Sequence, residues 1–168
     1  SVLYTGEELK NNLHDTFNWK KSVVIENIYF SHANALGYGN WSYLNKDYEI
    51  LETAQVISQS GYLGGVFGHT HRSKLSVYKK GGDVEEIPIF GSKALINNSL
   101  DKCFIANSGS VGQPRGMESS VLFITINDSD VELEVKPLSY DLSRHCENIG
   151  SSDLSKKTKD KLISYYKN

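Results

Sequence analysis

Two histidines, His69 and His71, stand two apart at the end of the short apolar run in GYLGGVFGHTHRS, residues 61–73. Imidazole is a common nitrogen ligand for zinc, iron, manganese and nickel. In an extended segment, residues at i and i+2 project to the same side, so the two rings are expected to converge. Gly68 leaves room for backbone and ligand beside them. Taken alone, the pattern fits two solvated loop histidines better than a metal site. His32 shifts the balance, because ENIYFSH has the same strand-then-histidine form as GGVFGH. Two neighbouring parallel strands would then deliver imidazoles to one sheet edge, where open α/β sheets place their ligands. His32, His69 and His71 are therefore the expected metal ligands. His14 and His145 lie in polar segments and are expected at the surface.

The elements that must position these residues follow from periodicity. Leu9, Leu13 and Trp19 share a helical face over residues 6–19, and two β-rich runs around Glu26-Asn27 signal a hairpin. Ile50, Leu51, Ala54 and Ile57 predict a helix over 47–59, with Gly61 placed for a left-handed cap. Strands are expected over 63–67, 75–79, 86–90, 102–107, 119–127 and 131–138, the last two joined by the NDSD turn. Leu154, Leu162, Ile163 and Tyr166 predict a terminal helix from Ser152, with its lysines on a solvated face.

Bulk properties set the limits. A chain of 168 residues with 39% hydrophobic content suits one domain or a large piece of one. A formal charge of −2 and a pI near 6.2 give no electrostatic reason to expect nucleic-acid binding. Cys103 and Cys146 are unclustered and form neither a disulfide framework nor a thiolate metal site, which points to a reducing, cytoplasmic setting. No apolar run approaches the roughly 18 residues needed to cross a bilayer, and the N-terminus has no signal-peptide pattern. No membrane partner is expected, and self-association into a homo-oligomer stays open.

GGVFGHTHR followed by NSGSVGQPRG resembles the calcineurin-like metallophosphoesterase family, specifically its small bacterial phosphoesterase or diadenosine-tetraphosphatase-like group. YFSHANALGYGNWSYL is similar to that group's strand, metal-binding histidine and following loop, and SSVLFITINDSDVELEVKPLSYDL to its closing hairpin. The resemblance implies two divalent ions (Mn, Zn, Fe, Ni or Mg) per complete site, with His32 and His69 on one and His71 on the other. It also implies a phosphoester substrate, nucleotides among the candidates. Arg115 and Arg72 have guanidinium groups suited to phosphate oxygens, although the 107–115 segment reads equally as a structural loop rich in turn residues. Tyr38, Trp41 and Tyr43 either line a substrate pocket or bury an adjacent loop.

The departures are as specific as the match. The family's Asp-x-His, bridging Gly-Asp and Gly-Asn-His motifs are absent. Gly39-Asn40-Trp41 falls after His32 rather than before it, His14-Asp15 lacks a strand context, and Ser108 stands where the family usually has proline. Catalytic residues are therefore expected upstream of residue 1. The expected fold is the C-terminal part of a layered α/β sandwich with mixed β-sheets, residues 1–150, followed by a C-terminal helix over 151–168. A metal-dependent phosphoesterase lacking its N-terminal ligands is the expected function, and this chain alone is expected to be inactive. A non-catalytic protein-binding scaffold on the same fold is the alternative, and a mononuclear zinc protein a third reading.

Overall fold

The hairpin signalled at Glu26-Asn27 is present in the computed structural model, which describes residues 20–99, 101–115 and 118–166. Strands β1 (Ser22–Ile25) and β2 (Ile28–Ser31) pair antiparallel across those two residues. Both have positive φ, 47° and 62°, which matches the twist of a tight two-residue hairpin. The expected helix over residues 6–19 lies outside the described residues.

Helix α1 (Asp47–Gln59) begins where the Glu49 carboxylate accepts the Asn45 and Lys46 backbone N–H groups at 3.0 and 2.8 Å. It ends in a reciprocal cap: Tyr62 N–H donates to Ile57 O at 3.2 Å and Gly61 N–H to Ser58 O at 3.1 Å, with Gly61 at φ +75°. Its buried residues Ile50, Ala54 and Ile57 pack on one face of a six-stranded sheet.

That sheet has the order β1-β2-β3-β7-β4-β5, adding β3 (Gly64–Phe67), β4 (Ser73–Lys79), β5 (Val84–Ile87) and β7 (Lys102–Ser108). β2, β3 and β7 run parallel to one another, whereas β4 runs antiparallel to β7 and β5. A second sheet, β6-β9-β8, is antiparallel and contains β6 (Lys93–Asn97), β8 (Ser120–Ile126) and β9 (Asp130–Pro137).

Alternation along β7 builds two cores. Cys103 and Ile105 face α1 beside Phe67 and Tyr78, while Phe104 and Ala106 face the second sheet, meeting Leu133, Val135 and Ile96. Cys103 donates its thiol to Ala54 O, and burial pushes its pKa up to about 12. The result is a layered α/β arrangement with a mixed sheet, as the periodicity predicts.

The strand β6 was not foreseen. It carries two inward residues, Ala94 and Ile96, and is held by pairing with β9 and by the Lys93–Glu132 ion pair at 2.8 Å.

Residues 21–138 form one compact unit, and the C-terminal stretch from Ser139 belongs to another. The described part of the latter has helix α2 (Leu142–Ser151), capped by Asp141, and α3 (Lys156–Ser164), capped by Ser155. The predicted terminal helix corresponds to α3, and α2 was unforeseen. His145 departs from its expected surface position. It is half-buried, lies edge-on to Tyr140 and Tyr166, and shares a 3.0 Å hydrogen bond with the Tyr166 hydroxyl. Among the described residues, no helix is long and apolar enough to cross a membrane.

Candidate metal centre

Parallel pairing of β2 with β3 brings the two strand-end histidines side by side. The Gly68 N–H donates to His32 O at 2.8 Å, tying the strand ends together, and the His32 and His69 ring centroids lie 5.2 Å apart. A methyl group at Gly68 would make only ordinary contact with His32, so the glycine is not sterically required.

The backbone around these rings differs from the extended form the spacing suggests. Thr70 N–H closes onto Gly68 O at 2.6 Å, a γ-turn centred on His69. His69 and His71 have φ of 62° and 61°, in the left-handed region that side chains disfavour. Such residues cost on the order of 1–3 kcal/mol each and cluster at functional sites. Thr70, buried between them, exchanges hydrogen bonds with the Arg72 backbone through its hydroxyl.

The hydrogen-bond partners fix two tautomers. His69 Nε2 lies 3.1 Å from Trp41 O, and His71 Nδ1 lies 2.9 Å from Gln113 O. A carbonyl only accepts, so His69 carries its hydrogen on Nε2 and His71 on Nδ1. The opposite nitrogens, His69 Nδ1 and His71 Nε2, are the ones left to face a ligand. A ring N–H held by a backbone carbonyl is the usual support for a metal-ligating histidine. Tyr43 further stacks on His69 with centroids 4.3 Å apart and 19° between planes.

The loop after β7 buttresses the same edge. Asn107 donates to Gly68 O and accepts the Gly109 N–H, while Arg115 N–H donates to His71 O at 3.1 Å. Gln113 N–H in turn binds the Ser110 hydroxyl at 3.0 Å. This is the structural role that the turn residues of 107–115 suggest. Arg72 and Arg115 line one cleft of about 220 Å³ with Leu44, Asn45 and Lys74, the last paired to Glu86 at 2.8 Å.

As a donor set, imidazoles each held on one ring nitrogen by a backbone carbonyl suit a share of a divalent-metal centre. They do not close one. Among the described residues, no group of three or more His, Cys, Asp or Glu side chains is assembled to hold an ion. His32 and His69 are brought together, whereas His71 is linked to them through its electrostatic effect on His32.

This linkage has a measurable consequence. His32 keeps an exposed edge, yet partial desolvation, and then the neighbouring His69 and His71, hold its pKa below the ordinary 6.5. In an NMR titration His32 is expected to protonate below pH 6.5, and His69→Ala to move its midpoint upward by removing a like charge. An unchanged midpoint would separate the two rings in solution.

No protein-family model matches the chain. It is 26% identical over 156 residues to an uncharacterized protein of Methanocaldococcus jannaschii, a match covering 89% of this chain and 58% of that protein. Its structure is similar to the crystal structure of a metallophosphoesterase from Sphaerobacter thermophilus, with a TM-score of 0.60 and 12% identity, covering 88% of this chain and 60% of the other. The fold is thus that of a metallophosphoesterase. The chain spans 58% of the length of the curated relative.

Proposed function

We propose that this chain supplies His32, His69 and His71 to the dinuclear centre of a metal-dependent phosphoesterase whose carboxylate ligands come from polypeptide outside the described residues. The observation that carries this is the pair of imidazoles at the ends of adjacent parallel strands, 5.2 Å apart, on a metallophosphoesterase fold. When bound, a pair of divalent ions polarises the phosphoryl oxygens and lowers the pKa of a bound water enough to make it a nucleophile near neutral pH. His32 and His69 would hold one ion and His71 a share of the other. Arg72 and Arg115 bind the phosphate oxygens and orient the ester from the adjoining cleft.

Fewer than three grouped ligands among the described residues is the specific observation favouring the second reading, a binding scaffold on the same fold. One comparison separates the two. The 168-residue chain and the product of the full reading frame containing it are assayed with Mn²⁺ or Zn²⁺ against a chromogenic phosphodiester. The short chain is expected to bind metal weakly without turnover, and the full product to hydrolyse the ester. Turnover by the short chain would displace the site from these histidines, and inactivity of the full product would favour the scaffold reading.

A further inference from the structure

The chain leaves β2 next to His32 and comes back, at Trp41, to hold the ring of His69. The loop between is folded around one side chain. Asn34, 5% exposed, donates through Nδ2 to Asn40 O, Asn40 Oδ1 and Ser42 O at 3.3, 3.0 and 3.1 Å, and its Oδ1 accepts the Leu36 N–H at 2.9 Å. Ser42 N–H also donates to Asn40 Oδ1 at 2.9 Å, and Ser31 Oγ donates to Asn34 O at 2.7 Å. Both donor and acceptor ends of the Asn34 amide are thus in use, which is what a buried amide requires.

The bonds from Asn34 Nδ2 fall on the two neighbours of Trp41. Asn40 and Ser42 are clamped on either side of it, and the carbonyl between them lies 3.1 Å from His69 Nε2. The Trp41 ring stands beside both histidines, with centroids 5.9 Å from His32 and 6.0 Å from His69, while Tyr43, just past the clamp, stacks on His69. Tyr38 instead has Lys21 Nζ 4.1 Å over its ring.

Little else fixes the path of this loop. Among the described residues, the backbone–backbone hydrogen bond within 35–42 is Asn40 N–H to Gly37 O, at 3.2 Å. The position of the Trp41 carbonyl therefore depends on the Asn34 amide more than on secondary structure.

We infer that Asn34 is a positioning residue for the metal centre: by clamping Asn40 and Ser42 it keeps the Trp41 carbonyl on His69 Nε2 and leaves Nδ1 for the ion. The inference rests on the phosphoesterase reading above, in which His69 is a ligand, and adds the residue that orients it. No side-chain substitution at Trp41 removes its carbonyl, so the clamp is where this support is open to mutation.

Asn34→Asp keeps the side chain's shape and its Leu36 contact but sets an acceptor against the oxygens of Asn40 and Ser42. In the metal-free chain, NMR reads the His69 Nε2–H and the His71 Nδ1–H as separate ring protons, the second held by Gln113 O on the other loop. Asn34→Asp is expected to speed exchange of the His69 proton with water by roughly 2- to 12-fold, the factor that one ordinary hydrogen bond supplies, and to leave the His71 proton unchanged. In the full-reading-frame product the same variant should weaken Mn²⁺ binding by about 10- to 100-fold. Asn40→Ala removes the oxygen that Asn34 and Ser42 share and should act in the same direction, whereas Asn40→Asp keeps an acceptor there and should restore the parent values. That pair carries the test if Asn34→Asp does not fold. Equal losses at His69 and His71 would make Asn34 a general folding residue, and an unchanged His69 proton would mean that the carbonyl is held by other means. Either result overturns the positioning role and leaves the phosphoesterase reading in place. A His69 proton released with Mn²⁺ affinity unchanged would take His69 off the metal and remove both.

Discussion

Alanine at His69 is expected to lower phosphodiester turnover and metal affinity of the full-reading-frame product by at least about 100-fold, because removing a ligand exceeds the 10–100-fold loss that follows removal of a ligand's own hydrogen-bond partner. The same holds for His71→Ala. His69 has three separate supports: the Trp41 carbonyl on Nε2, the stacked Tyr43 ring and the Gly68-centred backbone contacts. Each orients the ring without using Nδ1. His69→Asn serves as the partner variant, since asparagine tolerates the left-handed backbone found there better than most residues. It should keep the thermal stability of the parent while losing metal and turnover. Retained turnover in either variant, measured at saturating Mn²⁺, would remove His69 from the centre.

The route by which these histidines meet was legible because it depends on strand order and type. ENIYFSH and GGVFGH read as two strands of the same form, and β2 and β3 are indeed parallel neighbours. The helix over 47–59 and its Gly61 cap follow equally directly from apolar spacing and from glycine's freedom at positive φ. The sequence reading failed where structure is set by backbone groups. Nothing in the identity of Trp41 or Gln113 shows that their carbonyls fix the tautomers of His69 and His71. The i, i+2 argument assumed the wrong backbone, because a γ-turn rather than an extended strand carries His69.

The two missed elements have simple causes. In β6 only Ala94 and Ile96 face inward, too few for alternation to stand out, and the strand forms because β9 offers it a partner. Helix α2 carries a short apolar stripe, Leu142, Cys146 and Ile149, and an Asp141 cap, but it contains no buried residue and its polar majority hid the pattern in the sequence. The likeness to a metallophosphoesterase fold extends over the chain, but the motifs that distinguish an active member are absent from the sequence itself. The likeness therefore fixes the fold, and the activity stays with the proposal that residues elsewhere complete the centre.

The largest stability effect is expected at the contact between β3 and β7 that sets where His69 lies. Gly64 is paired with Phe104, and a methyl group added at Gly64 would run into the Phe104 ring, which is fully buried between the sheets. Phe104→Ala should cost about 3–5 kcal/mol, since it removes a large buried ring from a close-packed core. Gly64→Ala should cost about 1–3 kcal/mol by overpacking the same space. Against a typical domain stability of about 5–15 kcal/mol, the first change alone brings the fold close to its limit. The two defects are opposite in sign of volume and share one site, so the double variant should be less unstable than the sum by about 0.5–3 kcal/mol, which urea unfolding of all four proteins measures as a double-mutant cycle. Strict additivity would mean that β3 shifts away from β7 instead of pressing on the ring. That shift would also be felt at the site, because only Gly68 separates the end of the paired register, Phe67 opposite Asn107, from His69.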